Sequence, residues 1–237
     1  MSVKYSDLLP HQFRARLAQR PLAYLPLGTL EWHGEQMALG ADAIISEAFM
    51  VQCAEKYGGI VLPPIHAGPD LAKLQSDGST LIGMDTWETT TPNRPLDGSC
   101  YWVPDGLFQA LLDAILTQLK RAGFKAVFAD GHGPSRKSWS RDLAERERRF
   151  GLKLLGVTEG YRAAWACQTD HAGKNETSLV MAVRPALVDI KQLGDDRGVF
   201  PQGVIGKDPR DASAEHGEEC YRAAMALFGE MLKEKGV

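Results

Sequence analysis

The chain has 237 residues, of which 44% are hydrophobic and 24% charged, an ordinary composition for a globular protein. Its 27 basic and 30 acidic residues give a formal net charge of −3, so charge predicts neither a nucleic acid nor a membrane surface as partner. No apolar run approaches the roughly 20 residues that cross a bilayer, and the N-terminus has no apolar signal-peptide core. We therefore expect a cytoplasmic protein with one domain, residues 1–237.

Apolar runs and amphipathic stretches alternate in the first half of the chain. Residues 22–27 predict a first strand, 43–56 a helix, and 60–65 a second strand. The following stretch, 66–104, is rich in Gly, Pro, Thr and Asp and shows no periodicity. Loops of this length are usually functional, so this stretch is expected to contact the substrate.

The second half begins with the clearest helix, 105–122, where apolar residues recur at every third or fourth position. Further elements are predicted behind it: a buried strand at 125–130, a charged surface helix at 135–150, a strand at 152–157, a strand or short helix at 178–183, and a last helix from Ser213 to about 233. The alternation predicts an α/β fold with a mostly parallel sheet.

Three polar residues follow the predicted first strand. Glu31 and His33 lie two positions apart in GTLEWHG, so on an extended segment they point to the same side. Asp42 follows at the head of the next helix. Carboxylates and imidazoles beyond the C-terminal end of a parallel strand form a ligand set suited to Zn, Mn or Fe. Taken alone, Asp42 equally suits a helix N-cap and His33 an ordinary loop histidine.

Two further segments carry histidines. His132 lies between two glycines directly after the predicted strand 125–130, where glycines allow a tight turn and close approach to a ligand. Asp170 and His171 are adjacent, and a carboxylate that orients an imidazole suits acid–base chemistry. An isolated Asp-His pair equally suits a polar loop.

Together and in this order, these segments resemble the creatininase (creatinine amidohydrolase) family. Its members carry Gly-x-x-Glu-x-His-Gly after the first strand and an Asp soon after. A Gly-His-Gly turn and an acidic-His-Ala segment with a downstream Glu-Thr-Ser follow. The stretch LPLGTLEWHGEQMALGAD is the closest match. The resemblance implies a three-layer α/β/α sandwich with a mostly parallel central sheet and a divalent metal site of two ions.

The resemblance also implies roles for individual residues. Asp42 bridges the two metals, Glu31 and His132 hold one ion, and His33 holds the other. A metal-bound water of lowered pKa attacks the substrate carbonyl, and Asp170 and His171 handle the proton. Family members assemble, so a homo-oligomer such as a hexamer is expected.

The chain departs from the family at the Gly-His-Gly turn. Creatininase has a metal-binding Glu two residues after this histidine, where the present chain has Pro134. The turn continues as Pro-Ser, ending at Ser135, where many members have Gly-Asn. Two outcomes stay open: one tight and one weak metal, or replacement of the lost carboxylate by Glu176. We expect Glu176 to be a ligand, because two dications would otherwise be under-neutralised.

The expected reaction is hydrolysis of a small polar cyclic substrate, with a cyclic amide first. His66, Trp102 and Trp165 are predicted substrate contacts, although each also suits an ordinary loop or packing role. Because the stretch 66–104 does not match creatininase, creatinine itself is not expected as substrate. The alternatives are ring opening of a cyclic ketone of the inosose type at a C–C bond, deformylation of a formamide, and a non-catalytic protein that binds a small molecule.

Overall fold

The computed structural model of the chain describes residues 1–157 and 170–237. Its central sheet contains four parallel strands: β1 Leu22–Leu27, β2 Ile60–Val61, β5 Ala126–Gly131 and β6 Lys153–Leu155. Their spatial order is β2, β1, β5, β6. A separate antiparallel hairpin consists of β3 Ala72–Leu74 and β4 Thr80–Ile82. The mostly parallel sheet predicted from the sequence is therefore confirmed.

Helices flank this sheet. Those within the described ranges are α1 Pro10–Gln19, α2 Ala41–Tyr57, α3 Asp105–Ala122, α4 Gly133–Ser140, α5 Leu143–Phe150, α6 Lys174–Val183 and α7 Ala214–Lys235. None of the helices described has the combination of length and apolar character that a bilayer crossing requires.

Alternate residues of β1 enter two different hydrophobic cores. Leu22 and Tyr24 pack with the face covered by α2, α6 and α7, where Phe228 fills the centre. Ala23 and Leu25 enter the opposite core, which is built with α1, α3 and α4. Because strand side chains alternate between faces, a strand buried on both sides reads as a continuous apolar run. The result is the expected three-layer α/β/α arrangement.

Two predicted strands differ from the structure. The second strand ends at Val61 rather than at Ile65, because Pro63 and Pro64 lack the amide protons that a sheet ladder needs. Ile65 still forms an isolated parallel bridge with Leu27. The segment 178–183, left open as strand or helix, belongs to α6, which begins four residues earlier.

Helical segments also differ from the prediction. The single charged helix expected at 135–150 is two helices, α4 and α5, because Asp142 has a non-helical backbone between them (φ −133°, ψ 43°). Helix α1 was not predicted, since it has no fully buried residue and rests on the core through Phe13 and Leu17. The structureless loop expected at 66–104 contains the β3–β4 hairpin.

The ends of β1 and β5 determine where the chain turns. Leu27 lies opposite Gly131 in the parallel register, and the amide of His132 donates to the carbonyl of Leu27 at 2.9 Å. Gly131 has φ 142°, and a Cβ there would overlap the Leu27 carbonyl oxygen. Only glycine fits this position, so the polar segments after β1 and β5 start side by side.

Candidate metal centre

Four segments converge beyond the C-terminal ends of β1 and β5. Glu31 and His33 follow β1, His132 follows β5 as the first residue before α4, and Asp42 and Glu176 occupy the first turns of α2 and α6. Helix N-termini favour carboxylates, because their free amide groups and dipole carry partial positive charge. The structure thus brings together all five residues predicted as ligands from the sequence.

One group of side chains consists of His33, Asp42 and Glu176. The Nε2 atom of His33 lies 3.5 Å from Oδ2 of Asp42 and 3.9 Å from Oε2 of Glu176. His33 is fully buried and the two carboxylates are nearly so. Three potential ligand atoms therefore face one small volume.

A second group contains Glu31, His132 and Asp70. The Nε2 atom of His132 lies 3.7 Å from Oε1 of Glu31 and 3.7 Å from Oδ2 of Asp70. The two groups are neighbours, because Asp42 and Glu176 of the first group, like Asp70 of the second, raise the pKa of Glu31. Neighbouring carboxylates repel each other unless a proton or a cation lies between them.

His171 lies beside both groups. Its ring stacks on that of His33, with centroids 4.5 Å apart, and its Nδ1 lies 3.9 Å from Oε1 of Glu31. Its Nε2 donates to the backbone carbonyl of Trp32 at 2.8 Å. A carbonyl only accepts, so in the neutral ring Nδ1 holds the lone pair and faces the centre.

Asp170 has a different environment from the one its sequence position suggests. Its two carboxylate oxygens accept the backbone amides of Asn175 and Glu176, at 2.7 and 3.1 Å. These amides belong to the first turn of α6. The Asp170 carboxylate therefore anchors the helix that carries Glu176, while His171 is oriented by the carbonyl of Trp32.

Backbone and hydroxyl groups also orient the two other histidines. Nδ1 of His33 donates to the carbonyl of Glu31 at 3.0 Å, which leaves its Nε2 with a lone pair. Nδ1 of His132 is hydrogen-bonded to the hydroxyl of Ser135 at 2.8 Å. Orientation of a ligand histidine through its second nitrogen is the common arrangement in metal sites.

Burial controls the charges at the centre. It raises the pKa of Glu31, and neighbouring Asp42, Asp70 and Glu176 raise it further. The pKa of Glu176 is raised by burial first and by Asp42 second. Burial lowers the pKa of His33 to about 4, so this ring is neutral at pH 7.

His171 and Asp170 respond to the same burial. The pKa of His171 is lowered to about 3 by burial and then by the neighbouring His33, so this ring is also neutral at pH 7. Burial raises the pKa of Asp170 to about 6, against the opposing effect of the two amides it accepts.

The centre fits divalent cations. Nε2 of His33, Oδ2 of Asp42 and Nε2 of His132 are buried and lack a hydrogen-bond partner among the described residues. Buried polar atoms are normally paired, and each unpaired one costs on the order of 1–3 kcal/mol. Neutral imidazole and carboxylate oxygens are ligands for Zn, Mn or Fe, so a cation would satisfy all three atoms.

The three residues predicted to contact substrate have separate outcomes. Trp102 forms a backbone bridge with Gly68, and its buried Nε1 has no hydrogen-bond partner among the described residues. His66 is half-buried, with a similarly unpartnered Nδ1. Trp165 lies outside the described residues. Substrate contact by these residues stays a prediction.

Two residues of the centre were missed or misjudged from the sequence. Asp70 was not selected, although it follows His66 by four positions within the loop expected to be functional. Ser135 was counted as a departure from the family, yet its hydroxyl orients His132. A hydroxyl three residues after a histidine at a helix start would have been a usable signal.

Known proteins resemble this chain over almost its full length. The family profile described as Creatininase, creatinine amidohydrolase, matches residues 6–93 and 96–232. A creatinine amidohydrolase of Pseudomonas putida is 26% identical and covers 98% of this chain and 92% of its own. A mycofactocin precursor peptide peptidase of Mycolicibacterium smegmatis is 23% identical and covers 85% of this chain and 80% of its own.

Solved structures share the fold. One described as creatininase Mn has a TM-score of 0.75 at 21% identity and covers 99% of both chains. A mutant creatininase of Zn-Zn type has a TM-score of 0.71 at 21% identity, covering 99% of this chain and 98% of its own.

A three-layer fold with a buried carboxylate–imidazole centre at the strand ends defines a metal-dependent hydrolase. The chain belongs to the creatininase family. The resemblance predicted from its motifs is therefore confirmed.

Proposed function

We propose that this enzyme hydrolyses the amide bond of a small polar cyclic substrate and uses two divalent cations, Zn, Mn or Fe. The single observation that carries the proposal is the pair of neighbouring buried ligand groups, with unpartnered Nε2 atoms on His33 and His132. The creatinine amidohydrolase among its relatives supports an amide in a ring as the bond that is cleaved.

In this proposal, His33, Asp42 and Glu176 hold one cation, while Glu31 and His132 hold the other, with Asp42 shared. Glu176 thereby takes the place of the carboxylate that Pro134 cannot supply, as its 3.9 Å separation from His33 supports. When bound, the cations polarise a carbonyl oxygen and make a water molecule acidic.

His171 is proposed to move the proton. Its Nδ1 lone pair faces the centre, and the Trp32 carbonyl holds the opposite ring nitrogen, so the ring can take a proton without rotating. Asp170 was predicted to share this role, and its contacts with the amides of Asn175 and Glu176 support positioning of α6 instead.

A second candidate is hydrolysis of a peptide bond in an acyclic substrate. The mycofactocin precursor peptide peptidase among the relatives favours it, and the same centre suits both amides. Product analysis separates the candidates: a cyclic amide yields one ring-opened product with a new amine and carboxylate, whereas a peptide yields two fragments. Cleavage of a C–C bond in a cyclic ketone would yield a new carboxylate and no new amine.

Metal content tests the proposal. Protein purified without added metal or chelator is expected to contain about two equivalents of Zn, Mn or Fe by elemental analysis. Glu31→Gln and His132→Ala are each expected to lower this content while circular dichroism shows a folded protein. His11→Ala, which changes an exposed histidine of α1, is the matched control and should leave it unchanged.

One equivalent of metal would indicate that replacement of the family carboxylate by Pro134 has removed the second ion. No metal, and no uptake on addition, would overturn the proposal in favour of a non-catalytic binding protein.

We also propose a single domain over residues 1–237 and a cytoplasmic homo-oligomer. Family membership supports these proposals, and light scattering of the purified protein tests the assembly.

A further inference from the structure

Asp70 contributes a carboxylate to the centre from the long loop 66–104. Its side chain is only 9% exposed, and Oδ2 lies as far from Nε2 of His132 as Oε1 of Glu31 does, 3.7 Å in both cases. The other oxygen, Oδ1, accepts the amide of Leu71 at 2.6 Å, which leaves Oδ2 directed at the histidine.

The two distances of 3.7 Å from Nε2 of His132 are typical of ligand atoms around one cation and are too long for hydrogen bonds. A hydrogen bond between nitrogen and oxygen spans about 2.7–3.2 Å. Two ligand atoms that are each roughly 2.1 Å from a tetrahedral cation lie roughly 3.4 Å apart. The Nε2 atom of His132 is buried and lacks a hydrogen-bond partner among the residues that the structure describes. The carboxylates of Glu31 and Asp70 therefore both face a nitrogen whose lone pair is available to a cation.

The loop is shaped around this carboxylate. Asp70 directly precedes the β3–β4 hairpin, and the amide of Gly83, just after β4, donates to the carbonyl of Leu71 at 2.9 Å. Gly83 has φ 56°, and a Cβ added there would overlap Oδ2 of Asp70. The hairpin backbone therefore leaves the space that the carboxylate occupies.

The far end of the same loop is also attached to the ligand segment. The hydroxyl of Ser99 accepts the amide of Trp32 at 2.6 Å, and the amide of Cys100 donates to the carbonyl of Leu30 at 3.2 Å. A restraint on Asp70 would thus hold the loop at both ends, directly beside the segment that carries Glu31 and His33.

We infer that Asp70 is a third protein ligand of the cation held by Glu31 and His132, and that this cation thereby fastens the loop 66–104 over the centre. The inference rests on the proposed function. Charge supports it, because Glu31, Asp42 and Glu176 leave two dications one charge short of neutrality, and Asp70 supplies that charge. The loop expected to contact substrate would then gain order when the metal binds.

The experiment compares zinc binding and loop protection in four proteins: wild type, Asp70→Asn, Gly83→Ala and Asp77→Asn. Asp77→Asn is the matched control, because this substitution removes one carboxylate from the exposed turn of the same hairpin. Zinc affinity is measured by competition with a chromophoric chelator, and amide hydrogen exchange is followed over 66–104 with and without zinc.

We expect wild type and Asp77→Asn to bind two zinc ions and to gain protection in the loop. Asp70→Asn should bind one of them at least about tenfold more weakly, since loss of even an outer partner of a ligand costs 10–100-fold. It should also lose the zinc-dependent protection. Gly83→Ala keeps every carboxylate, but its added methyl group would overlap Oδ2 of Asp70. This variant should therefore bind the same ion more weakly.

Two results would overturn the inference. If Asp70→Asn binds two ions with wild-type affinity and protects the loop as wild type does, Asp70 is not a ligand, although the two-metal proposal stands. If wild type binds no zinc, the proposed function fails, and this inference fails with it.

Discussion

At the scale of single residues, the centre depends on how each histidine ring is oriented. Carbonyl groups of Glu31 and Trp32 accept from His33 and His171, and neither carbonyl can do anything but accept. The free nitrogen of each ring consequently faces the carboxylates. His132 differs, because its Nδ1 contacts a side-chain hydroxyl, that of Ser135, and this contact can be removed by mutation.

Ser135→Ala is expected to weaken metal binding about 10–100-fold without unfolding the protein, because the ring of His132 loses the group that orients it. Ser138→Ala is the matched control: it removes another buried hydroxyl from α4, one that donates to Asp105 instead of contacting a histidine. Chelator competition measures the affinity of both variants. Equal affinity in Ser135→Ala and wild type would show that the hydroxyl has no part in orienting the ligand.

At the scale of elements, the first turn of α6 is capped by Asp170 and also carries the predicted ligand Glu176. Asp170 accepts two amides of the first turn, and Glu176 lies in that same turn with Oε2 accepting the amide of Ala172 at 2.7 Å. Helix capping by a carboxylate thus fixes the direction from which Glu176 enters the centre.

Asp170→Ala is expected to lower the free energy of unfolding by about 0.5–2 kcal/mol, the usual cost of a lost cap, and to weaken metal binding. Urea unfolding and zinc titration measure the two effects. An acid–base role predicts a different result: kcat would fall while stability and metal affinity stay unchanged. Asp189→Ala serves as comparison, because the side chain of the exposed Asp189 caps the short turn at 190–193 instead of α6.

Helix α4, which begins directly after His132, is held by Trp139. This side chain is fully buried, packs in the core with α3, and donates from Nε1 to the carbonyl of Leu155 at 2.9 Å. The tryptophan therefore connects α4 to the edge strand β6.

Trp139→Ala should destabilise the protein by about 3–5 kcal/mol, because it leaves a large cavity in the core. Trp139→Phe should cost less, since it keeps most of the packing and loses only the hydrogen bond. Thermal unfolding of both variants, with metal present, measures the two losses of stability. If Trp139→Ala lost no more stability than a substitution at an exposed position does, the packing of Trp139 in the core would be contradicted.

At the scale of the whole molecule, metal and pH should act together on stability. In metal-free protein, burial raises the pKa of Glu31 and Glu176, so their contribution is complete below the ordinary value near 4.5 and is lost as pH rises through the raised values. His33 and His171 have lowered pKa values of about 4 and 3, so they destabilise only as pH falls below about 6.5.

Chelator-treated protein is therefore expected to lose stability as pH rises through the raised pKa values of Glu31 and Glu176, and to lose it also as pH falls below about 6.5, where the unfolded histidines bind protons. Zinc should reverse the first of these losses, because cations replace the protons and neutralise the carboxylates. Urea unfolding at several pH values, with chelator or with zinc, measures both curves. Glu31→Gln should flatten the curve of stability against pH in metal-free protein. An unchanged slope in this variant would show that Glu31 does not cause the pH dependence.

Local features of the sequence predicted much of this molecule. The apolar run 22–27 and the periodic stretch 105–122 are recognisable because their signals lie within the element itself. Placement of His132 between glycines likewise reflects a local constraint, since only glycine fits the backbone at Gly131. Four of the five residues predicted as ligands were selected because each lies shortly after a predicted strand or at the head of a helix: Glu31, His33, Asp42 and His132.

Tertiary structure alone decided the remaining points. Asp70 sits in a loop without periodicity, and its approach to His132 depends on how the hairpin folds back over the sheet. Glu176 was left open as a ligand, and its distance from His33 is determined by the packing of α6 against α2. Local backbone preferences determine where elements begin and end, whereas contacts between distant segments depend on packing that no short window of sequence contains.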